Sequence, residues 1–333
     1  MRKRALLMLV AGSLLAFATQ VQAQPIEFKV SHYLPPNHTI QKVLEDWGKE
    51  VEQRSAGRMT MRIYPASQLG PVQRQFDLAR NGQADMVVGL TGATPGRYPM
   101  TELATGPFIA PSTGTTSEAQ SRRATELAPK YLAPEFQGLH LLWVGVPPDS
   151  TVFTAKREIT TLADMKGLKL RFQGEQLALV LRALSAVPLQ VPPGEIADGM
   201  SKGVIDGAMF NYEAAESFGL GSVTKHVVEP GFLSATLVLA MNQAKYDGLA
   251  PDLRAIIDET TGPAAATKLG QRWDIAEKHG RDAMLAAKVE INTLPPAEMN
   301  KLKLAMKPVV ADAVATLEKA GKPATQFLAD YTK

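Results

Sequence analysis

The side chains able to do chemistry are few and scattered along this 333-residue chain. The five histidines are His32, His38, His140, His226 and His279. No two stand four apart on one helix, and there is no cysteine to join them, so no metal centre is expected. No G-x-S-x-G elbow, Walker loop or G-x-G-x-x-G occurs. The carboxylates are spread along helix faces that solvent explains. The residues therefore point to binding rather than catalysis, with no cofactor, and a periplasmic hydrolase is kept as the alternative. Arg171 stands apart. It sits near the end of an apolar strand, Leu168–Phe172, just before Gly174 and a helix. A guanidinium there can hold a carboxylate through two parallel hydrogen bonds. The same position also suits a surface Arg paired with a nearby acid. Asn211 and Tyr212 follow another strand, and Tyr33 and Thr91 follow two more. These groups could supply further donors and acceptors to one ligand; Thr151 and Gln173 complete the candidate set.

The elements that must position these residues read as α/β. Ile26–His32 alternates Ile26, Phe28 and Val30, the pattern of a strand. Pro35-Pro36 breaks it, and a helix is expected over Thr39–Ser55 with the stripe Ile40, Val43, Leu44, Trp47 and Val51. Met59–Tyr64 and Asp85–Leu90 are further strands, with a helix starting at Gly70-Pro71 between them. The order β-α-β-α-β is half of a doubly wound sheet, in which ligands gather beyond the carboxyl ends of the strands. The order returns over Leu168–Phe172, Glu175–Ser185, Leu189–Val191, a helix from Glu195, and Ile205–Phe210. Asn81-Gly82-Gln83-Ala84-Asp85 and Lys202-Gly203-Val204-Ile205-Asp206 lead into the two third strands in the same way. Two similar lobes are expected. A helical region follows, with a break at Gly262-Pro263 and a last helix over about Pro296–Ala320. Residues 111–117 read as a surface loop.

The first 23 residues read as a cleavable signal peptide. Arg2, Lys3 and Arg4 precede an apolar run from Ala5 to Ala18, and Val21-Gln22-Ala23 suits signal peptidase. That run is shorter than the roughly 20 residues a membrane span needs. The three leader basics account for the whole excess of 36 Lys and Arg over 33 Asp and Glu. The mature chain is then neutral and offers no strong field to nucleic acid or membrane. Export without disulfides fits a bacterial periplasm.

Several segments together resemble one family. Tyr64-Pro65-Ala66-Ser67-Gln68-Leu69-Gly70 is close to Y-P-x-S-Q-L-G, and Leu162–Arg171 resembles a D-[LM]-K-G-L-K-[ILF]-R segment. Pro107-Phe108, Val187-Pro188, Glu195 and Gly203-Val204-Ile205-Asp206-Gly207 extend the likeness over essentially the whole mature chain. It resembles the solute receptors of TRAP (tripartite ATP-independent periplasmic) transporters, the C4-dicarboxylate-binding-protein-like family. The resemblance implies a two-lobed periplasmic binding protein with a mixed sheet in each lobe, a cleft between them and long C-terminal helices. It implies that Arg171 pairs with a ligand carboxylate. It also implies delivery of a small organic acid to small and large permease subunits driven by an ion gradient; an ABC-type receptor would share the fold class and the signal. Residues 24–149 with about 236–275 are expected to form lobe I, 150–235 with about 276–333 lobe II, and the assembly state is expected to be a monomer. Some members carry a second Arg where this chain has Thr151. The usual D-G-x-E-N-P is replaced by Asp206–Glu213, one residue longer before Asn, which leaves Asn211 and Tyr212 as alternatives for the ligand contact. One Arg, no second Arg, and Phe153, Phe172, Phe210 and Tyr212 nearby point to a monocarboxylate with an apolar or hydroxylated body.

Overall fold

The computed structural model describes residues 25–172 and 174–333. The leader expected over residues 1–23 and the candidate Gln173 lie outside the described residues. The strands in chain order are β1 Ile26–His32, β2 Met59–Tyr64, β3 Met86–Leu90, β4 Leu139–Gly145, β5 Ser150–Thr154, β6 Lys169–Phe172, β7 Val187–Gln190, β8 Gly207–Phe210, β9 His226–Leu233, β10 Leu237–Asn242 and β11 Glu290–Thr293. They form two sheets, ordered β2-β1-β3-β10-β4 and β11-β9-β5-β8-β6-β7. Both are mixed. β2, β1 and β3 run parallel while β10 is antiparallel to β3 and β4. β7, β6 and β8 run parallel, and β5 is antiparallel to β8 and β9. This is the α/β architecture the sequence implies. β1, β2 and the helix Thr39–Arg54 lie within a residue of their expected bounds. The helix expected from Gly70-Pro71 begins as a 3-10 turn, Val72–Arg74, and becomes α-helical at Gln75.

The repeated lead-in peptides have a common physical role. Asp85 accepts the Lys29 amide of β1, and Asp206 accepts the Lys169 amide of β6, each at 2.8 Å. Each carboxylate thus fixes the start of the neighbouring parallel strand. The cores follow the sheets. Phe28, Val30, Leu44, Trp47 and Val88 pack on one face of the first sheet, and Phe76, Val87, Tyr98 and Phe136 on the other. Leu170, Leu181 and Met209 cover one face of the second sheet, and Phe153, Ile196 and Phe210 the other.

Two short connections carry the chain between sheets: 146–149 from β4 to β5, and 234–236 from β9 to β10. The third link is the helix Gly262–Ala286. The expected break is real: the preceding helix stops at Thr260, Thr261 is extended, and Gly262 takes a left-handed φ of +72°. The long helix packs Leu269 and Trp273 into the first core and Met284 into the second. The final helix, Ala324–Tyr331, was not foreseen, and it corrects the placing of the whole C-terminus in the second lobe. Phe327 and Tyr331 are buried with Phe76 and Tyr98 of the first lobe, where their rings find an apolar pocket.

Gly270 shows how tightly the long helix is held. A Cβ there would stand 2.3 Å from the Glu118 Cα in the helix Ser117–Tyr131. Backbone cannot yield as a side chain can. Gly270→Ala is expected to destabilise the protein by on the order of 1–3 kcal/mol, read as a lower urea midpoint with an unchanged slope.

Candidate functional site

Local sequence explains how Arg171 is delivered. Asp164 accepts the Thr160 and Thr161 amides at 3.0 and 2.8 Å and closes a short turn before β6. Gly167 follows with a φ of +75°, which only glycine adopts freely, and its amide bonds the Ser185 carbonyl. β6 then runs between β7 and β8, and Arg171 emerges near its carboxyl end. On the first lobe the Y-P-x-S-Q-L-G peptide does similar work. The Ala66 amide bonds the Leu34 carbonyl and the Ser67 amide bonds the His32 carbonyl, pinning the segment that carries Tyr33.

Arg171 is only 1% exposed. Its Nε donates to the Val191 carbonyl at 3.2 Å, and its guanidinium carbon lies 4.8 Å from the Phe210 ring centre. Nη1 is buried with no acceptor among the described residues. Burial pulls its pKa down to about 10, with Tyr33 opposing that shift. The Tyr33 phenol is pushed above its ordinary range, chiefly by burial, while Arg171 pulls the other way. The ends of β1 and β6 therefore meet across the lobes. The surface ion pair considered for Arg171 is excluded by this burial.

Tyr33, Asn211 and Phe210 also line one small cavity of about 30 Å³, with Leu34, His38, Glu213 and Trp273 among its other walls. Asn211 Nδ2 donates to Glu277 Oε2 at 3.0 Å. Glu277, on the long helix, also accepts the Tyr212 and Glu213 amides at 2.9 Å each. It thereby satisfies the start of the helix Tyr212–Ser217, and burial, outweighing these donors, lifts its pKa to about 7.

The other candidates part company. Tyr212 turns away: its hydroxyl bonds Glu229 at 2.8 Å and its ring packs edge-on against Phe153, 5.3 Å between centres. Between the two alternatives, Asn211 faces the cavity. The Thr151 hydroxyl is taken by the Val228 carbonyl of β9, because its strand lies between β8 and β9. Thr91 bonds the Thr236 hydroxyl and lines a neighbouring small cavity with Gly92, Glu102 and Gly174. Sequence reasoning missed Glu213, His38, Trp273 and Glu102. Glu213 stands two residues past Asn211, which was a usable signal; Trp273 looked like any apolar helix position.

Several contacts join the lobes around this site. Glu213 Oε1 accepts the Thr39 amide at 2.9 Å. The Phe108 amide bonds the Phe232 carbonyl at 2.8 Å, with the two rings stacked. Glu102 of the first lobe packs against Gly174 of the second, where a Cβ would stand 3.3 Å from its Oε2. Among the described residues no group of His and carboxylates could hold a metal ion, and no helix is long and apolar enough to cross a membrane.

Two lobes linked by strand crossovers and one long helix, with a buried cation between them, define a solute-binding receptor. The chain belongs to the family described as bacterial extracellular solute-binding protein, family 7 (DctP), which matches residues 30–317. Solved relatives share the two-lobed fold. A TRAP solute-binding protein from Rhodoferax ferrireducens, in complex with copurified benzoate, is 32% identical, with a TM-score of 0.87 over 92% of this chain and 96% of that one. A Bordetella bronchiseptica TRAP receptor with bound (R)- and (S)-mandelate is 27% identical, with a TM-score of 0.85 over 92% of this chain and 98% of that one. The 2,3-diketo-L-gulonate-binding periplasmic protein of Escherichia coli is 25% identical over 289 residues, 85% of each chain. This protein is thus a TRAP-type solute-binding receptor.

Glu102 gives the closed interface a pH dependence. Burial, then the charges of Glu135 and Glu175, raise its pKa to about 7 from an ordinary 4.5. Between those values the folded chain holds a proton that the unfolded chain has released, so stability falls as pH rises through the window. Glu102→Gln escapes this loss. Its advantage over wild type is expected to be small at pH 4 and to grow to as much as about 3 kcal/mol above pH 7, measured by thermal unfolding at both pH values. A constant difference would contradict it.

Proposed function

We propose that this receptor captures a small monocarboxylate with an aromatic or branched body in the periplasm and delivers it to the membrane subunits of a TRAP permease. The observation that carries the reading is Arg171: a buried guanidinium whose Nη1 lacks an acceptor among the described residues. A charge taken out of water costs several kcal/mol unless it is paired. A ligand carboxylate is the partner that chemistry supplies, and Arg holds it bidentately. The position that could have carried a second Arg is Thr151, whose hydroxyl is spent on backbone, so one carboxylate is favoured over two. The Phe210 ring, 4.8 Å from the guanidinium carbon, supports a ring or branched body beside the carboxylate. The relatives solved with benzoate and mandelate point the same way.

Arg171→Ala is expected to weaken binding of benzoate or mandelate by on the order of 2–5 kcal/mol, read by isothermal titration. Unchanged affinity would remove Arg171 from the ligand. A thermal-shift screen of organic acids tests the ligand class. At 100 times its dissociation constant a true ligand adds about 2.7 kcal/mol, and stabilisation only by dicarboxylates or sugar acids would overturn the monocarboxylate reading.

A further inference from the structure

Two more buried polar atoms lack partners among the described residues. Glu213 Oε2 and Trp273 Nε1 make no hydrogen bond, and both residues line the cavity of about 30 Å³ that Asn211, Tyr33 and the Arg171 neighbour Phe210 also line. Glu213 is 4% exposed and Trp273 is fully buried. Glu213 Oε1 is already committed to the Thr39 amide. His38 Nε2 stands 3.3 Å from Oε2 without hydrogen-bonding alignment. Two residues of the cavity wall therefore carry an unpaired polar atom each, an acceptor on Glu213 and an indole donor on Trp273. Buried polar atoms are seldom left unmatched, and each unmatched one is costly. The group that answers an acceptor and a donor together is a hydroxyl, which gives one hydrogen and accepts another. The cavity has the size for such a group: a water needs roughly 10–15 Å³ by the same measure, and a ring needs far more.

We propose that Glu213 and Trp273 form a hydroxyl subsite, so that the receptor selects carboxylic acids bearing a hydroxyl over their unsubstituted parents. The ligand hydroxyl donates to Glu213 Oε2 and accepts from the Trp273 indole. The inference rests on the carboxylate-binding reading of Arg171 and sharpens it. Glu213 also adds a repulsive element, since a second carboxylate brought to this wall would face a buried negative charge. Because Glu213 holds the Thr39 amide of the opposite lobe as well, the residue that reads the hydroxyl is also one that joins the lobes.

The test is isothermal titration of matched pairs: 3- and 4-hydroxybenzoate against benzoate, and mandelate against phenylacetate. In wild type, at least one hydroxylated acid is expected to bind about tenfold more tightly than its parent, the scale of a hydrogen bond to a charged group. In Glu213→Gln that ratio is expected to fall to within about threefold, and Trp273→Phe, which removes only the donor, is expected to lower it as well. A wild type with no preference in any pair would overturn the subsite, whether or not the variants fold. So would a preference that persists in folded Glu213→Gln; water alone would then fill the cavity. Arg171→Ala separates the two readings. If it binds the parent acids as wild type does, the carboxylate assignment fails. If it loses them while the hydroxyl ratio of Glu213→Gln matches wild type, only the subsite fails.

Discussion

The constraint on which this structure turns is the unbalanced charge of Arg171. β6 carries the guanidinium out of water, and among the described residues it is answered by one backbone carbonyl and the face of Phe210. Both soften the loss of hydration, and neither neutralises the charge. Glu213 is near enough to influence Tyr33, but it is bound to the start of the first lobe's helix. On the proposed reading, closure over an empty site would bury a cation without its counter-charge, whereas closure over a carboxylate would form a desolvated pair. That difference in free energy between the two states would couple ligand to lobe closure.

The surrounding fold makes that coupling possible. Parallel strands from both sheets end between the lobes: Tyr33 of one lobe lines a cavity with Asn211 of the other, and Thr91 lines a second with Gly174. Aspartates at matching places, Asp85 and Asp206, set the starts of the strands that carry them. The long helix Gly262–Ala286 braces the site from behind: Trp273 forms a wall, and Glu277 ties down the peptide from Asn211 to Glu213. Contacts across the lobes include polar and aromatic ones, as Thr39 to Glu213 and Phe108 to Phe232 show. Interfaces of this kind can part and re-form.

Much of this was legible in the sequence, for identifiable reasons. β1, β2 and the helix after them obey clean periodicities of two and 3.6, so their limits could be read directly. Arg171 was legible because a charged residue near the end of an apolar strand is unusual. The return strands β9 and β10 were not, because their pairing is decided by segments far away in the chain. Tyr212 could not be separated from Asn211 for a related reason: sequence order places the two side by side, but the direction of Tyr212 is set by Phe153 and Glu229 on other strands. The direction of Thr151 was hidden likewise, since its hydroxyl bonds a strand neighbour. Glu213 and Trp273 acquire meaning only when the helix crosses the cleft, which no local pattern records.

The measurement that bears most directly on the central claim is a crystal structure of the receptor closed on an aromatic monocarboxylate. The account places a carboxylate oxygen about 2.7–2.9 Å from Arg171 Nη1, with the body of the acid against Phe210 and Leu34. A closed complex in which the carboxylate lies elsewhere, with Nη1 meeting only water or protein, would contradict it.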